Sequence, residues 1–251
     1  MKILLTNDDG INSNALLCLA TEISKIAQVI VVAPRNEQSG VSNAFSYYRP
    51  IQFQKVDGFP CEAYWLEGTP GDCVKFAVCK LMADSLPDLI ISGINNGENS
   101  GISVIYSGTI AAAREGATWD IPSIAISMQK LRDDLYAPCL EWVSQVVQKQ
   151  LHKEISPQIC WSVNFPATAE PKEMKICPMD TTMFEDKYIT HTNPRGIEDF
   201  WLVGRKDRSS FKTESDDWWL YQGHPTLTPL QLDQSSHSEI NRLQKILSPN
   251  S

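Results

Sequence analysis

The chain has 251 residues, 42% of them apolar and 21% charged, an ordinary balance for a globular protein. At this length folding can withdraw roughly 70 to 75% of the chain's surface from water, so a core needs neither disulfides nor a structural metal. The 30 acidic and 22 basic side chains give a net charge of −8, and the densest basic group is only Arg205, Lys206 and Arg208, read as a solvated turn. This excludes a nucleic-acid partner, whose phosphates are neutralised by clustered Lys and Arg.

The opening run Ile3-Leu4-Leu5 turns polar at Thr6. That is too short for a signal peptide and far below the roughly 20 residues of a membrane span, so no membrane partner and a cytoplasmic location are expected. Seven cysteines are scattered without a C-x-x-C pair and read as reduced, buried thiols.

Residues 2–6 form a short apolar strand. A helix over 12–27 follows, with Leu16, Leu19, Ala20, Ile23 and Ala27 on one face. Residues 28–33 make a second apolar strand ended by Pro34, and the pieces 51–57 and 62–66 flank Asp57-Gly58-Phe59-Pro60 as a hairpin on a sheet edge. The alternation continues with a helix over 72–82, a strand over 88–92, a helix over 107–118, a strand over 123–127 and a helix over 139–151. Strands that are apolar throughout and separated by helices imply an α/β fold with a mostly parallel sheet covered on both faces. After about residue 155 the alternation is lost. The strand-like runs 160–165, 173–177, 198–203 and 225–229 are read as a sheet extension with arms that reach a neighbouring subunit, and the residues after Leu247 as a fraying end.

In parallel α/β sheets ligands gather outside the carboxyl ends of the strands. Three such ends are unusually polar: Asn7-Asp8-Asp9-Gly10, Asn36-Glu37-Gln38-Ser39-Gly40, and the stretch from Ser92 through Asn95 and Asn96 to Gly101. Adjacent carboxylates repel unless a cation lies beside them, and hard divalent ions prefer oxygen donors, so Asp8, Asp9, Ser39 and Asn95 form a candidate ligand set. Asp8-Asp9-Gly10 is equally a turn and helix cap. Ser107 reads as the cap of an Ala-rich helix whose N–H groups at Gly108 and Thr109 are free to receive a phosphate, though ordinary capping needs no ligand. The G-x-G-x-x-G, P-loop, G-x-S-x-G and H-E-x-x-H patterns are all absent. His191 and His224 read as surface residues. Tyr106, Trp65 and Trp201 could stack on a base, although most such side chains simply pack.

The ordered set Ile3-Leu4-Leu5-Thr6-Asn7-Asp8-Asp9-Gly10, Gln38-Ser39-Gly40, Gly68-Thr69-Pro70-Gly71-Asp72-Cys73, Ser92-Gly93-Ile94-Asn95-Asn96-Gly97, Tyr106-Ser107-Gly108-Thr109, Pro194-Arg195-Gly196 and Thr228-Pro229-Leu230 resembles the stationary-phase survival protein SurE family. The resemblance covers most of the chain. It departs from the family's pattern at Asn14-Ala15, over 42–49, at Asn193 and at Asp216-Asp217-Trp218-Trp219.

The resemblance implies a Rossmann-like three-layer sandwich in one domain, with a catalytic core over 1–155 and an oligomerisation extension over 156–251. It implies one divalent metal ion, Mg²⁺ or Mn²⁺, on Asp8, Asp9, Ser39 and Asn95, and a phosphate held by Asn96, Ser107, Gly108 and Thr109. Asp8, Asn96 and Ser107 would be the catalytic residues. The implied activity is hydrolysis of nucleoside monophosphates, with short polyphosphate as a further substrate, in a homodimer or homotetramer. The adjacency of Asp8 and Asp9 disfavours a haloacid-dehalogenase-type phosphatase, and no well-placed later Asp and Lys support a receiver domain. A non-catalytic metal- and nucleotide-binding regulator on the same scaffold is the alternative.

Overall fold

The computed structural model describes residues 1–247, so the expected fraying after Leu247 falls outside the described residues. The order of elements is β1 (Lys2–Thr6), α1 (Asn14–Ile23), β2 (Gln28–Pro34), β3 (Phe53–Val56), β4 (Glu62–Leu66), α2 (Pro70–Phe76), β5 (Leu89–Asn96), α3 (Gly108–Thr118), β6 (Ser123–Met128), α4 (Tyr136–Gln148), β7 (Ile159–Phe165), β8 (Lys175–Ile176), β9 (Lys187–Thr192), β10 (Glu198–Val203), α5 (Asp216–Leu220), β11 (Thr226–Gln231) and α6 (His237–Leu247).

Nine strands form one mixed sheet in the order β3-β4-β2-β1-β5-β6-β7-β11-β8. From β4 to β7 every neighbouring pair is parallel, while β3 and β11 join antiparallel. Ile3 and Leu5 face one side of β1 with Leu16, Leu19 and Ile23 of α1 and Val143 and Val146 of α4. Leu4 faces the other side with Val74 of α2 and Ala112 of α3. All three β1 residues are fully buried, which is why the strand is apolar without alternation. The result is a Rossmann-like α/β sandwich with helices on both faces.

Three elements differ from the sequence expectation. Helix α1 ends at Ile23, where Ser24 N–H closes on Ala20 O and the chain turns. The helix expected over 72–82 narrows to α2 and then a π-type turn, in which Met82 N–H reaches back to Ala77 O. Strand β5 runs four residues past Ser92, through a bulge between Ser92 and Asn95. A bulge redirects the side chains that follow it, and here those are the two asparagines. The runs 173–177 and 198–203 also part company: β8 joins the large sheet, whereas β10 pairs only with β9 in a separate hairpin.

From β1 the chain proceeds outward to β2 and β4, then returns to place β5 on β1's other side. This reversal is the kind of switch point at which an α/β sheet opens a crevice.

Candidate active site

The end of β1 is set by Asn7, whose Nδ2 donates to Gly10 O at 3.0 Å while its Oδ1 accepts from Gly10 N–H at 3.2 Å. Gly10 has φ +94°, and a Cβ there would stand 3.2 Å from the carbonyl carbon of Asn36 and 3.3 Å from Pro34 O. Only glycine permits that conformation and close approach. The approach joins the first two polar strand ends, since Ile11 N–H donates to Pro34 O at 2.8 Å and Gln38 N–H to Asp8 O at 2.7 Å. Ser39 is thereby carried to the rim of the Asp8 crevice.

Beyond the β5 bulge the two asparagines are committed in opposite senses. Asn95 donates Nδ2 to Gly97 O at 2.7 Å, which leaves its Oδ1 as the uncommitted atom. Asn96 accepts from Leu131 N–H through Oδ1 at 3.2 Å, which leaves its amide N–H₂. One therefore presents a donor for a cation and its neighbour a donor for an anion. Ser107 caps α3 by accepting from Ile110 N–H at 3.1 Å. The Gly108 N–H has no partner among the described residues. A cavity of about 280 Å³ opens among Asp8, Ser39, Asn95, Asn96 and Ser107.

Thr109 corrects the sequence reading. Its N–H donates to Asp8 Oδ2 at 3.1 Å and its hydroxyl to Asp8 Oδ1, so this N–H is not free for a phosphate; Thr109, like Asp9 and Gly108, stands behind the residues that line the cavity. Both groups hold the Asp8 carboxylate. Gly108 lies directly behind that carboxylate, where an added Cβ would come within 3.0 Å of Asp8 Cβ and 3.1 Å of Asp8 Oδ2.

The two acids are electrostatically strained. Burial raises the Asp8 carboxyl above the usual carboxylate range despite the two Thr109 hydrogen bonds. Burial, then the adjacent Asp8, pushes Asp9 up to about 6. Asp9 Oδ2 is buried without a hydrogen-bond partner. Among the described residues no three His, Cys, Asp or Glu side chains group as a metal site, so a cation here would complete its shell with neutral oxygens such as Ser39 Oγ and Asn95 Oδ1. An orphaned carboxylate oxygen, a second buried carboxylate and an amide oxygen beside them suit a hard divalent ion.

A family profile described as "Survival protein SurE" matches residues 3–186, a span that includes every candidate site residue. The chain belongs to the SurE family. It is 40% identical over 253 residues to "5'-nucleotidase SurE" of Clostridium botulinum (strain Alaska E43 / Type E3), covering 98% of this chain and 99% of that protein. It is 35% identical over 251 residues to "5'-nucleotidase SurE 1" of Thermus thermophilus, covering 98% of each. Among solved structures, that of the SurE protein from Aquifex aeolicus superposes with a TM-score of 0.81 at 28% identity, covering 99% of this chain and 100% of that one.

Thr69 and Asp72, part of the resemblance but given no role from the sequence, help hold this SurE site together. Asp72 accepts from Thr69 N–H at 2.9 Å and, through its other oxygen, from Ser46 N–H at 3.1 Å, while the Thr69 hydroxyl donates to Ala44 O at 2.6 Å. The start of α2 thus pins the loop that follows Ser39. The Thr69-x-x-Asp72 spacing with Pro70 between is a readable capping box. The basic trio is only partly the solvated turn expected: Arg205 is exposed and Arg208, also exposed, stacks 4.2 Å over Tyr221, but the Lys206 side chain is buried against Asp217. Of the three candidate stacking residues, Tyr106 lines the cavity, Trp65 packs under Arg35, and Trp201 is exposed on the β9–β10 hairpin.

Proposed function

We propose that the chain is a divalent-metal-dependent phosphomonoesterase that hydrolyses nucleoside monophosphates to nucleoside and phosphate. The names of its full-length relatives support the reaction. The observation that carries the reading is chemical: two adjacent carboxylates raised by burial, one with an orphaned oxygen, with the unspent Gly108 N–H close behind Asp8 and a small cavity opening at Asp8.

Asp8, Asp9, Ser39 and Asn95 would hold one Mg²⁺ or Mn²⁺ ion, which when bound supplies Lewis-acid charge neutralisation at the phosphoryl group and acidifies water. The Gly108 N–H, the Asn96 amide and the Ser107 hydroxyl donate to the phosphoryl oxygens, where prearranged donors gain most as charge builds. Asp8, fixed by Thr109, orients the attacking water and takes its proton. The water oxygen forms the new P–O bond as the bond to the sugar oxygen breaks, and that oxygen takes a proton from solvent. A route through an aspartyl-phosphate on Asp8 would add about 80 Da to the chain during turnover, a difference that mass spectrometry reads.

The decisive experiment is phosphate release from a panel of nucleoside monophosphates and short polyphosphate, with EDTA, Mg²⁺ or Mn²⁺, beside Asp8→Asn. Metal-dependent release that Asp8→Asn abolishes is expected. Release that ignores EDTA, or full activity in the variant, refutes the proposal.

The extension over 156–251 is proposed to build a homo-oligomer. Helix α6 buries none of its residues, although Ile240, Leu243 and Leu247 recur at helical spacing, and Tyr188, Phe200 and Trp201 stand exposed on the hairpin. Such patches mark association surfaces, and a second copy of this chain is the partner proposed; light scattering distinguishes monomer, dimer and tetramer. No helix among the described residues is long and apolar enough to cross a membrane. No disulfide forms among the described residues, in accord with the proposed cytoplasmic location, although Cys79 is exposed and Cys18 and Cys61 are half-buried where buried thiols were expected.

A further inference from the structure

The cavity of about 280 Å³ at Asp8 is too small for a whole nucleotide, since small-molecule sites run from about 300 to 1,000 Å³. It is not isolated. Glu98 and Phe184 line it and also line a second chamber of about 760 Å³, which continues along Arg205 and Arg208 to Tyr221. The two residues form the wall between the chambers.

Both are held in place. The Tyr221 hydroxyl donates to Glu98 Oε1 at 2.8 Å, and burial pushes Tyr221 up to about 12, so it stays a donor. The other Glu98 oxygen takes no hydrogen bond among the described residues. Phe184 pairs through its backbone with Lys206, whose Nζ lies 5.3 Å from the ring centroid. The ring remains partly exposed.

An oriented carboxylate with one unspent oxygen suits a vicinal diol, as acidic side chains in other folds bind ribose hydroxyls. A fixed aromatic ring offers a face to any nucleobase. We propose that the second chamber seats the nucleoside half of the substrate, with Glu98 accepting from the ribose hydroxyls and Phe184 stacking on the base. The inference rests on the phosphatase reading above and makes these two positions determinants of specificity.

The test compares wild type, Glu98→Gln, Phe184→Ala and the volume-conserving Phe184→Leu in two measurements. The first is kcat/KM for AMP, its 2′,3′-dideoxy analogue and ribose 5-phosphate with Mn²⁺ present. Both Phe184 variants are expected to lower the AMP to ribose 5-phosphate ratio about tenfold, and Glu98→Gln to lower the AMP to dideoxy ratio about tenfold, chiefly through KM. The second is adenosine binding by calorimetry, expected to weaken about tenfold in each variant. Ratios and adenosine affinity within twofold of wild type in folded variants overturn the proposal, as does wild type that binds no adenosine. Wild type that releases no phosphate from any ester refutes the phosphatase reading instead, and calorimetry still decides the seat.

Discussion

Replacing Lys206 with Met tests whether the C-terminal part holds the loop after β5, at Ser100 and Gly101, by a buried charge. Lys206 Nζ donates to Ser100 O at 2.8 Å and to the two oxygens of Asp217 at 3.0 and 2.8 Å. The two side chains are 5% and 0% exposed. Asp217 also accepts from the Ser100 hydroxyl at 2.6 Å, and Asp216 from Gly101 N–H at 2.8 Å. Without the ammonium, a carboxylate stays buried with one hydroxyl donor, and removing one partner of a buried pair costs about 3 to 5 kcal/mol. At about 2 to 4 °C per kcal/mol for a chain of this size, melting should fall by roughly 6 to 20 °C. Urea unfolding near neutral pH measures the cost. Asp217→Asn and the double variant complete a cycle in which the double variant should be more stable than Lys206→Met, because neither charge of the pair is left buried without its partner. A loss below about 1 kcal/mol, or a double variant at least as unstable as the sum of the singles, refutes the argument.

Three further outcomes follow from single residues. Asp180 is lowered to about 2 by hydrogen bonds from Ser215, Thr182 and Lys212 that outweigh its burial; the stabilisation of about 2 kcal/mol is present above pH about 3.8 and lost as pH falls toward 2, so Asp180→Asn should be less stable at neutral pH and lose that slope. Gly108→Ala should lower kcat at least about tenfold while leaving urea stability within about 1 kcal/mol, since the new methyl presses on Asp8 at 3.0 Å but alanine suits a helix start; unchanged kcat would show that Asp8 placement does not matter. Asp9, raised to about 6, imposes a penalty of about 3 kcal/mol that is absent below pH about 3.8, grows through that window and is complete above 6, so metal-free Asp9→Asn should melt higher than wild type at neutral pH. Mg²⁺ or Mn²⁺ should raise the melting temperature of wild type and not of the variant; because Asp216 is raised into the same window, the difference between the two pH curves is the quantity to read.

The parallel core was legible because a strand buried on both faces must be apolar throughout, as Ile3, Leu4 and Leu5 are. The three polar strand ends were legible for the same reason: polar runs that interrupt such strands need a use. The division of labour among them was not. Thr109 and Gly108 are neighbours in an ordinary cap sequence, and only the approach of β1 to α3 decides that Thr109 serves Asp8 while the Gly108 N–H stays unspent. The bulge that continues β5 to Asn96 depends on pairing with β6, which a strand's own residues do not encode. Lys206 looked like one member of a solvated cluster because charge spacing carries no record of a partner eleven residues away, Asp217, that enters from another element.

The buried acids of this chain sort themselves by what satisfies them. Asp180 collects protein donors and is lowered to about 2, and Asp217 has an ammonium; both tie the C-terminal segments down. Asp216 accepts backbone N–H groups from Gly101, Asp180 and Asp217, yet burial still pushes it up to about 6, a cost that the fold bears to anchor the loop after β5 at Gly101. Asp9, half-buried, has the same upward displacement: it takes a hydrogen bond from the Asn96 backbone, but its Oδ2 is buried and unpartnered and the charges near it are the carboxylates of Asp8 and Glu37. A divalent cation at the site proposed above would offset both the burial of this pair and the repulsion between Asp8 and Asp9.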